Sequence, residues 1–478
     1  MTGPDPPDDD GYKWRAFGAI GMFFVTAVLI YAMVFVALPA MADDFGVTLR
    51  AASWVIIAHA LTISALLLPM GRLADQIGRR RIHLAGLVCF AAGCVLVAAA
   101  PTFGFLLAAR VVMGIGDAMS QSVGTGMLVS VFPPGERGTA IGSQTTAVAV
   151  GAAIGPVVAG VVLQAFSWRV LFLVMVVPIV MSFVAGHRIL DEERVSQGVT
   201  VGQTFDRGGA LWSALAIAAL AITLNNPFGL PWASPAVAAM AIAVVSLFAL
   251  FTRHELRHPA PMFQLRFFAD RRFAAAVAAR AVGFVGSAAV YILVPVFLIS
   301  LQARSESSAG LVLFVNSMGL GVAAQAAGRL SDRFGARRFA LGGFAIMIVT
   351  SLSFASMDAA TPLSVVVLTA LGSGVAVGSW NVTNNATIIG SVPPSAYGVM
   401  GAFTNLIRNV GNVFGQALVA ALVAGIMAAR GFDIPLGELA DTAGAGAAFV
   451  AGWRAAFVVV AVLAAVGCGL SALAPGRR

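Results

Sequence analysis

The stretch GRLADQIGRRR at residues 71–81 returns later in the chain as GRLSDRFGARR at residues 328–338. The two stretches agree at seven of eleven positions, and each lies between two long apolar segments. A shorter repeat is WRVLF (168–172), which resembles WRAAF (453–457); each stands at the start of an apolar segment. The sequence therefore predicts two related halves.

Apolar segments long enough to cross a bilayer recur along all 478 residues, of which 59% are hydrophobic and 10% charged. Soluble domains carry about 25% charged residues, and a membrane helix needs about 20 apolar residues. The runs are continuous, whereas strands of a membrane barrel alternate. We predict an all-α membrane protein with fourteen spans at 16–38, 53–70, 82–100, 105–132, 139–164, 169–187, 208–226, 236–252, 274–300, 309–327, 339–356, 363–390, 398–425 and 451–473.

The distribution of Lys and Arg supports this count. With a cytoplasmic N-terminus, 21 of the 29 fall in cytoplasmic segments, five fall at the opposite side or in the first turn of a span there, and Arg110, Arg280 and Arg408 lie deeper inside spans. Positive residues favour the cytoplasmic side, so the net charge of +8 does not indicate nucleic-acid binding. We expect a multi-pass protein of the inner (plasma) membrane with both termini cytoplasmic.

Four segments follow from these spans. They are a cytoplasmic tail (1–15), an N-terminal six-helix half (16–190), cytoplasmic linkers with two inserted helices (191–272) and a C-terminal six-helix half (273–478). Related helical halves that meet at the membrane midplane are typical of secondary transporters.

The cysteines and the visible motifs argue against other classes of protein. Cys89, Cys94 and Cys468 fall inside spans, so we expect no structural disulfide, no metal site and no cofactor. The sequence shows no nucleotide-binding loop and no nucleophile–base pair, which argues against an enzyme or a primary pump.

Several motifs resemble those of the major facilitator superfamily. The loop Gly-x-x-x-Asp-x-x-Gly-Arg-Arg (71–80) resembles its signature loop, RVVMGIG (110–116) its fourth-helix motif, and GAAIGPVVAG (151–160) the motif of its antiporters. VALP (36–39) and SW (53–54) resemble the fourteen-helix drug:proton antiporter branch. The resemblance implies the major facilitator fold, with two six-helix halves and two inserted helices, and export of small molecules by proton antiport.

The sequence departs from that branch in the first and fourth spans. Ile30, Ala32 and Phe35 stand where the branch carries an acid, a threonine and an asparagine, and Met113 and Asp117 replace a usual glutamine and alanine. One acid is therefore lost from span 1 and another is gained in span 4. We hypothesise that the carboxylate function has moved between these helices.

Asp117 is the only acidic residue inside the predicted spans. Seven residues separate it from Arg110, so both point to nearly the same side of a helix, about 10 Å apart along its axis. Ionisable residues inside spans commonly mark substrate or proton paths. Asp117 is our candidate for proton coupling, with His59 in span 2 as a second. The alternatives are a static counter-charge to Arg110 or Arg408, and a packing role for His59.

Further residues are candidates for a conformational latch and for an antiporter motif. We expect Asp75 to cap the following helix and to pair with an arginine across the bundle; the alternative is that the arginines only anchor the loops to headgroups. The latch set is Gly71, Arg72, Asp75, Gly78, Arg79, Arg80, Gly328, Asp332, Gly335 and Arg338. In span 5 we expect close helix packing at Gly151, Gly155 and Gly160 and a bend at Pro156, which is also compatible with ordinary packing.

The remaining candidates line the predicted central cavity. In span 12, amides and an indole form one face that suits a neutral or amphipathic ligand, although they can equally bond between helices. The substrate set is Arg110, Asp117, Met113, Tyr31, Phe35, Arg280, Trp380, Asn381, Asn384 and Asn385. We treat Arg408 as mainly structural.

The function we predict is a secondary active transporter that exports lipophilic or amphipathic molecules, with a small-molecule substrate, protons and membrane lipid as its partners and a monomer as its state. The alternatives are a uniporter or a dedicated exporter of one metabolite or lipid without proton coupling, and, more distantly, a non-transporting scaffold or sensor.

Overall fold

The computed structural model describes residues 10–196, 205–230, 234–432, 434, 439, 442 and 444–473. Fourteen helices in these residues are long and apolar enough to cross a membrane. In chain order they are α1 (Asp10–Phe45), α2 (Trp54–Ile77), α3 (Arg79–Ala98), α4 (Phe103–Val131), α5 (Arg137–Ala165), α6 (Trp168–Ile189), α7 (Arg207–Asn225), α8 (Pro235–Arg257), α9 (Arg271–Val296), α10 (Glu306–Phe334), α11 (Ala336–Ala355), α12 (Leu363–Gly390), α13 (Tyr397–Ala429) and α14 (Ala445–Leu473).

The fourteen predicted helices are confirmed, but many are longer than the predicted spans. As a result Asp117 is not the only acid on a membrane helix, since Asp75 and Asp332 lie in the last turns of α2 and α10. Asp117 differs from both because it is the central residue of the 29-residue α4. Residues 1–9 of the predicted tail, together with Arg477 and Arg478, lie outside the described residues.

Three apolar cores hold the helices together. One packs α1–α6, with Phe23 and Phe90 at its centre. A second packs α9–α14 around Phe344 and Trp453. The third core lies between the halves. It contains buried side chains of both halves, such as Leu67 of α2, and of the inserted pair. These cores give the two six-helix halves expected from the repeat.

The inserted pair lies at the seam between the halves. α7 packs against α2 of the first half and α13 of the second, and α8 packs against α7. α8 leaves Ile242, Val245 and Phe248 exposed, which suits an outer helix that faces lipid. The pair therefore covers the α2–α13 contact from outside.

The two halves meet closely at the end of the bundle that carries residues 71–81 and 328–338, which we call the loop-motif face. A Cβ on Gly138 would lie 2.5 Å from the carbonyl oxygen of Gly328, so α5 and α10 can approach this closely only with glycine at these positions. Lys13 and Glu136, whose side chains are 2.7 Å apart, show that the start of α1 lies at the same face. The bundle is thus closed at this end.

Candidate functional site

Asp117 lies in the middle of the N-terminal half and forms a pair with His59 of α2. Its Oδ2 is 3.2 Å from His59 Nε2, and both residues are almost fully buried. The other oxygen, Oδ1, is buried and has no hydrogen-bond partner in the described part of the chain. The sequence placed both residues among the proton-coupling candidates but did not predict that they touch.

Glycines on α4 allow this contact. A Cβ on Gly114 would lie 2.8 Å from Thr62 Cβ, and one on Gly116 would lie 2.3 Å from the Phe90 amide nitrogen. The Gly-x-Gly directly before Asp117 therefore lets α4 lie tightly between α2 and α3. That packing brings the carboxylate to His59.

The two ring nitrogens of His59 both face acceptors. Nε2 faces the Asp117 carboxylate, and Nδ1 is 3.4 Å from the carbonyl oxygen of Arg110. A neutral imidazole has only one N–H, so both contacts are hydrogen bonds only when the pair holds one additional proton, on the ring or on the carboxylate. In this geometry His59 and Asp117 are a contact pair that can share one proton.

Arg110 is directed away from Asp117, towards other partners. Its Nε donates to the Val55 carbonyl at 2.9 Å, its Nη1 contacts the Met113 sulfur at 3.2 Å, and the guanidinium lies over the Phe172 ring at 5.9 Å. Arg110 is fully buried. The bonded partner of Asp117 is thus His59, whereas Arg110 interacts with Asp117 only electrostatically, so a static counter-charge role for Asp117 stays an alternative.

Arg408 approaches the pair from the other half of the molecule. It lies within electrostatic range of Asp117, and its Nη2 is 3.4 Å from Gln121 Oε1. Asn405 on the same helix donates to the Gln121 carbonyl at 3.2 Å. α13 therefore meets α4 one turn from Asp117, at a contact between the halves that the sequence did not predict.

Arg280 and the span 12 amides come together in the C-terminal half. Arg280 donates to Asn381 Oδ1 at 2.9 Å and to the Thr404 carbonyl at 3.1 Å. Asn384 donates to the Ala276 carbonyl at 2.9 Å, while its Oδ1 and that of Asn385 have no hydrogen-bond partner among the described residues. These oxygens are buried acceptors with unused capacity.

Trp380 lies inside the C-terminal core and is fully buried. Its ring stacks on Phe344 at 5.1 Å and meets the edge of Phe284 at 5.0 Å. In this conformation the indole is a packing element, separate from the amide cluster. A role in substrate contact stays a prediction.

Accessible aromatic surface is found on α1 and α9 instead. Tyr31 and Phe35 are 40% and 53% exposed, with their rings 5.2 Å apart. Tyr31 interacts electrostatically with Arg110. It therefore lies on the side of α1 that faces α4. Tyr291 on α9 is 43% exposed and was missed by sequence reasoning. The signal was present, because Tyr291 precedes Pro295 by four residues as Phe35 precedes Pro39 in the equivalent helix.

The signature loop joins the two halves, although not in the way expected. Asp75 accepts hydrogen bonds from the backbone N–H groups of Gly398 and Val399, at 3.2 and 2.9 Å. Asp75 thus caps α13 of the opposite half. The following helix, α3, has Gly78 at its N-cap position and no side-chain cap. The expectation that Asp75 caps its own following helix was wrong because the first turn of α13 occupies the carboxylate.

The arginine partner of Asp75 comes from the same loop and not from across the bundle. Arg79 lies 2.8 Å from the Asp75 carboxylate, and both side chains are buried. The arginine itself reaches the other half by donating to the Pro394 carbonyl at 2.9 Å. A Cβ on Gly71 would lie 2.8 Å from Ala402 Cβ, so α2 and α13 approach closely at this point.

The repeated loop makes the reciprocal contact. Asp332 accepts from the Gly138 and Thr139 N–H groups, each at 2.8 Å, and so caps α5 of the first half. Position 336, which corresponds to Arg79, is alanine. The second contact therefore has the cap without the buried arginine. Arg80 donates to the His187 carbonyl within its own half, and Arg338 is exposed.

The glycine motif of α5 packs against α1 at two of its three glycines. A Cβ on Gly151 would lie 2.4 Å from the Val25 carbonyl oxygen, and one on Gly155 would lie 2.6 Å from Ala32 Cβ. Close packing is confirmed there. The prediction of close packing was wrong for Gly160, because a Cβ placed there would have no atom of a described neighbouring helix within 4 Å. Pro156 lies inside α5, as expected.

The chain matches the sequence profile of the Major Facilitator Superfamily over residues 19–416 and 279–477. It is 26% identical to the riboflavin transporter RibZ of Clostridioides difficile over 405 residues, which is 85% of this chain and 86% of that protein. It is also 26% identical to the multidrug efflux pump LfrA of Mycolicibacterium smegmatis over 444 residues, 92% of this chain and 86% of that pump.

The fold resembles that of solved transporters. The proton:xylose symporter XylE bound to 6-bromo-6-deoxy-D-glucose superposes with a TM-score of 0.66 at 14% identity, covering 98% of this chain and 97% of that structure. Together with the profile match, this confirms the predicted fold. The chain belongs to the Major Facilitator Superfamily and is a multi-pass membrane transporter, not an enzyme.

Proposed function

We propose that this transporter exports lipophilic or amphipathic small molecules by alternating access, in exchange for protons. The observation that carries the proposal is the buried contact between Asp117 and His59, which is satisfied only when the pair holds a proton. An ionisable pair in the middle of a membrane helix is costly and typically functional. This pair would supply the coupling carboxylate that the first helix lacks.

Arg408 offers a way for the proton to control the conformation. When the pair gives up its proton, Asp117 becomes an anion beside a neutral imidazole, within electrostatic range of Arg110 in its own half and of Arg408 in the opposite half. Attraction between opposite charges is strong where water is excluded. Deprotonation would thus pull α13 towards α4, and protonation would release it.

The closed loop-motif face fits one state of such a cycle. By the distribution of Lys and Arg, this face would be cytoplasmic, so that the conformation described here would be open to the outside. Asp75 and Asp332 would then act as the two latches that hold the outward-facing state. Their contacts must break before a substrate can enter from the cytoplasm.

The charge near the middle of the bundle indicates which substrates are favoured. Arg110, Arg280 and Arg408 lie well inside membrane helices, as does one carboxylate, Asp117. The excess positive charge favours neutral and anionic molecules over cations. The exposed rings of Tyr31, Phe35 and Tyr291 offer apolar contact surface nearby. The names of the relatives, a riboflavin transporter and a multidrug efflux pump, are compatible with such substrates.

One transport assay tests this function. Purified protein is reconstituted in proteoliposomes with an acidic lumen, and uptake of riboflavin (neutral), fluorescein (anionic) and ethidium (cationic) is measured with and without the pH gradient. We expect the gradient to drive riboflavin or fluorescein in preference to ethidium. Uptake that ignores the gradient would favour the uniporter alternative, a preference for ethidium would refute the charge argument, and failure of all three would contradict the substrate class.

A further inference from the structure

A cluster of metal-ligating side chains lies at the loop-motif face, outside the transport site. Asp206, His254 and His258 each direct one ligand atom into a space in which these atoms all lie within 4.8 Å of one another. His254 Nε2 is 2.8 Å from Asp206 Oδ1, and His258 Nδ1 is 3.8 Å from Asp206 Oδ2. The cluster joins the start of α7 to the end of α8.

The two histidines are presented by the sequence HELRH at residues 254–258. Side chains four residues apart lie on the same side of a helix, and the two rings stack at 5.2 Å. The Ala260 N–H donates at 3.3 Å to the lone pair of His258 Nδ1, the nitrogen that faces Asp206. A metal bound at this nitrogen would replace that hydrogen bond.

Asp206 has an unused oxygen at this point. Its Oδ1 accepts from the Gly209 N–H at 2.8 Å and faces His254, but its Oδ2 is buried with no hydrogen-bond partner among the described residues. Only 2% of Asp206 is exposed. A buried carboxylate oxygen without a partner is expensive, and a bound cation would satisfy it.

Glu255 adds a second carboxylate with an unused oxygen. Its Oε1 is buried and lacks a hydrogen-bond partner in the described residues. A Cβ on Gly209 would lie 2.4 Å from Asp206 Oδ2 and 2.5 Å from Glu255 Oε1, so both oxygens face the same small gap, which exists because residue 209 is glycine. In the described part of the chain the two acids are bonded by the Gly209 and Phe263 N–H groups and by His254, so a cation in the gap would satisfy their two unused oxygens.

We propose that Asp206, His254 and His258 form a zinc site. Two imidazole nitrogens and one carboxylate oxygen are a common three-residue ligand set for Zn²⁺, with bonds of about 2.0–2.2 Å and a tetrahedral arrangement. Tetrahedral ligands at that bond length are about 3.4 Å apart, which lies between the 2.8 and 3.8 Å separations observed. Side-chain rotations would bring the three ligand atoms, which lie within 4.8 Å of one another, to that spacing, with the gap at Gly209 holding a water or Glu255 in the fourth position.

The site is structural and not hydrolytic. Zinc peptidases use the glutamate of His-Glu-x-x-His as a general base, whereas here Glu255 Oε2 accepts the Phe263 N–H at 2.9 Å. Phe263 in turn packs on Phe403 of α13 at 4.5 Å. A metal at Asp206 would therefore fix the α7–α8 pair and, through the 258–264 segment, fasten it to the C-terminal half. The cysteine-based expectation of no metal site did not consider the histidines.

Metal binding to the full-length protein tests the proposal. The protein is purified without a histidine tag, treated with EDTA and titrated with Zn²⁺ against a chromophoric chelator, and with Co²⁺ to observe its visible d–d absorption. We expect one Zn²⁺ per chain, a tetrahedral Co²⁺ spectrum and a higher Tm with Zn²⁺. His258→Ala should weaken binding by at least about tenfold, while the Asp206–His254 hydrogen bond remains.

His187→Ala is the matched control, since His187 also lies near a helix end at this face but stacks on Phe183 away from the cluster. It should bind Zn²⁺ like the wild type. Equal affinity of His258→Ala and the wild type would overturn the proposal. So would a wild type without a tetrahedral Co²⁺ spectrum, which needs no variant and thus covers the case in which His258→Ala does not fold. In both cases the cluster would be a hydrogen-bonded helix cap only.

Discussion

The Asp117 carboxylate lies 3.2 Å from the His59 imidazole, and both side chains are almost fully buried in the N-terminal half. His59 Nδ1 contacts the Arg110 carbonyl oxygen, and this contact orients the ring so that Nε2 faces Asp117. The buried charge of Arg110 is directed elsewhere, to Val55. The pair is therefore built by two helices of one half, and Arg408 of the other half lies within electrostatic range of Asp117.

Two variants separate the effect of losing His59 from the effect of changing any buried histidine. His59→Gln can still donate to Asp117 but cannot carry a proton. A side chain that takes up and gives off a proton contributes about 10²–10⁴-fold, so proton-coupled transport should fall about tenfold or more, as measured by substrate uptake driven by a pH gradient.

His83→Gln is the control, because His83 is equally buried and neither ring nitrogen has a hydrogen-bond partner among the described residues. Its transport per folded molecule should match the wild type. If both variants lose coupling to the same extent, the effect comes from packing and the assignment to His59 fails.

The two latches should differ in strength. Asp75→Asn leaves Arg79 as an uncompensated buried charge, which costs about 3–5 kcal/mol. Asp332→Asn exchanges one good helix-capping residue for another and leaves no buried arginine unpaired, so it should cost less than about 1 kcal/mol. Thermal unfolding in detergent should show a larger fall in Tm for Asp75→Asn, and accessibility of a cysteine placed between α2 and α13 should rise. Equal effects of the two variants would contradict the difference between Arg79 and Ala336.

Replacing an exposed aromatic residue of the N-terminal half and a buried one of the C-terminal half should have different effects on substrate affinity and on stability. Phe35→Ala removes a ring that is 53% exposed, so substrate affinity should fall while Tm changes by little. Trp380→Ala removes a fully buried ring from the C-terminal core, which costs about 3–5 kcal/mol. Measuring KM and Tm for both variants checks this. A loss of affinity without a loss of stability in Trp380→Ala would put the indole back in the substrate path.

The fold could be predicted because its signals are local. Apolar length, the distribution of arginine and the repeat of GRLADQIGRRR each depend on short stretches of chain. The helix ends were less predictable, because polar turns such as the one containing Asp75 continue α2 beyond its apolar part. No local pattern distinguishes such a turn from a loop.

The site could be predicted only in part, because its contacts depend on how helices pack. The spacing on α4 showed which residues share a side of the helix but not that Gly114 would bring Asp117 to His59. The bond from Asp75 to Val399 joins residues from opposite halves. Neither partner carries a sequence signal for the other, since the contact arises from the packing of α2 on α13.

Proton movement in Asp117→Asn tests the central claim most directly. Proteoliposomes that contain a pH-sensitive dye are given a gradient of the best substrate at equal pH on both sides. Asp358→Asn is the control, because it neutralises an exposed acid in the loop between α11 and α12. We predict that substrate drives protons through the wild type and Asp358→Asn, and that Asp117→Asn reduces this movement about 100-fold or more. Undiminished proton movement in folded Asp117→Asn would contradict the account.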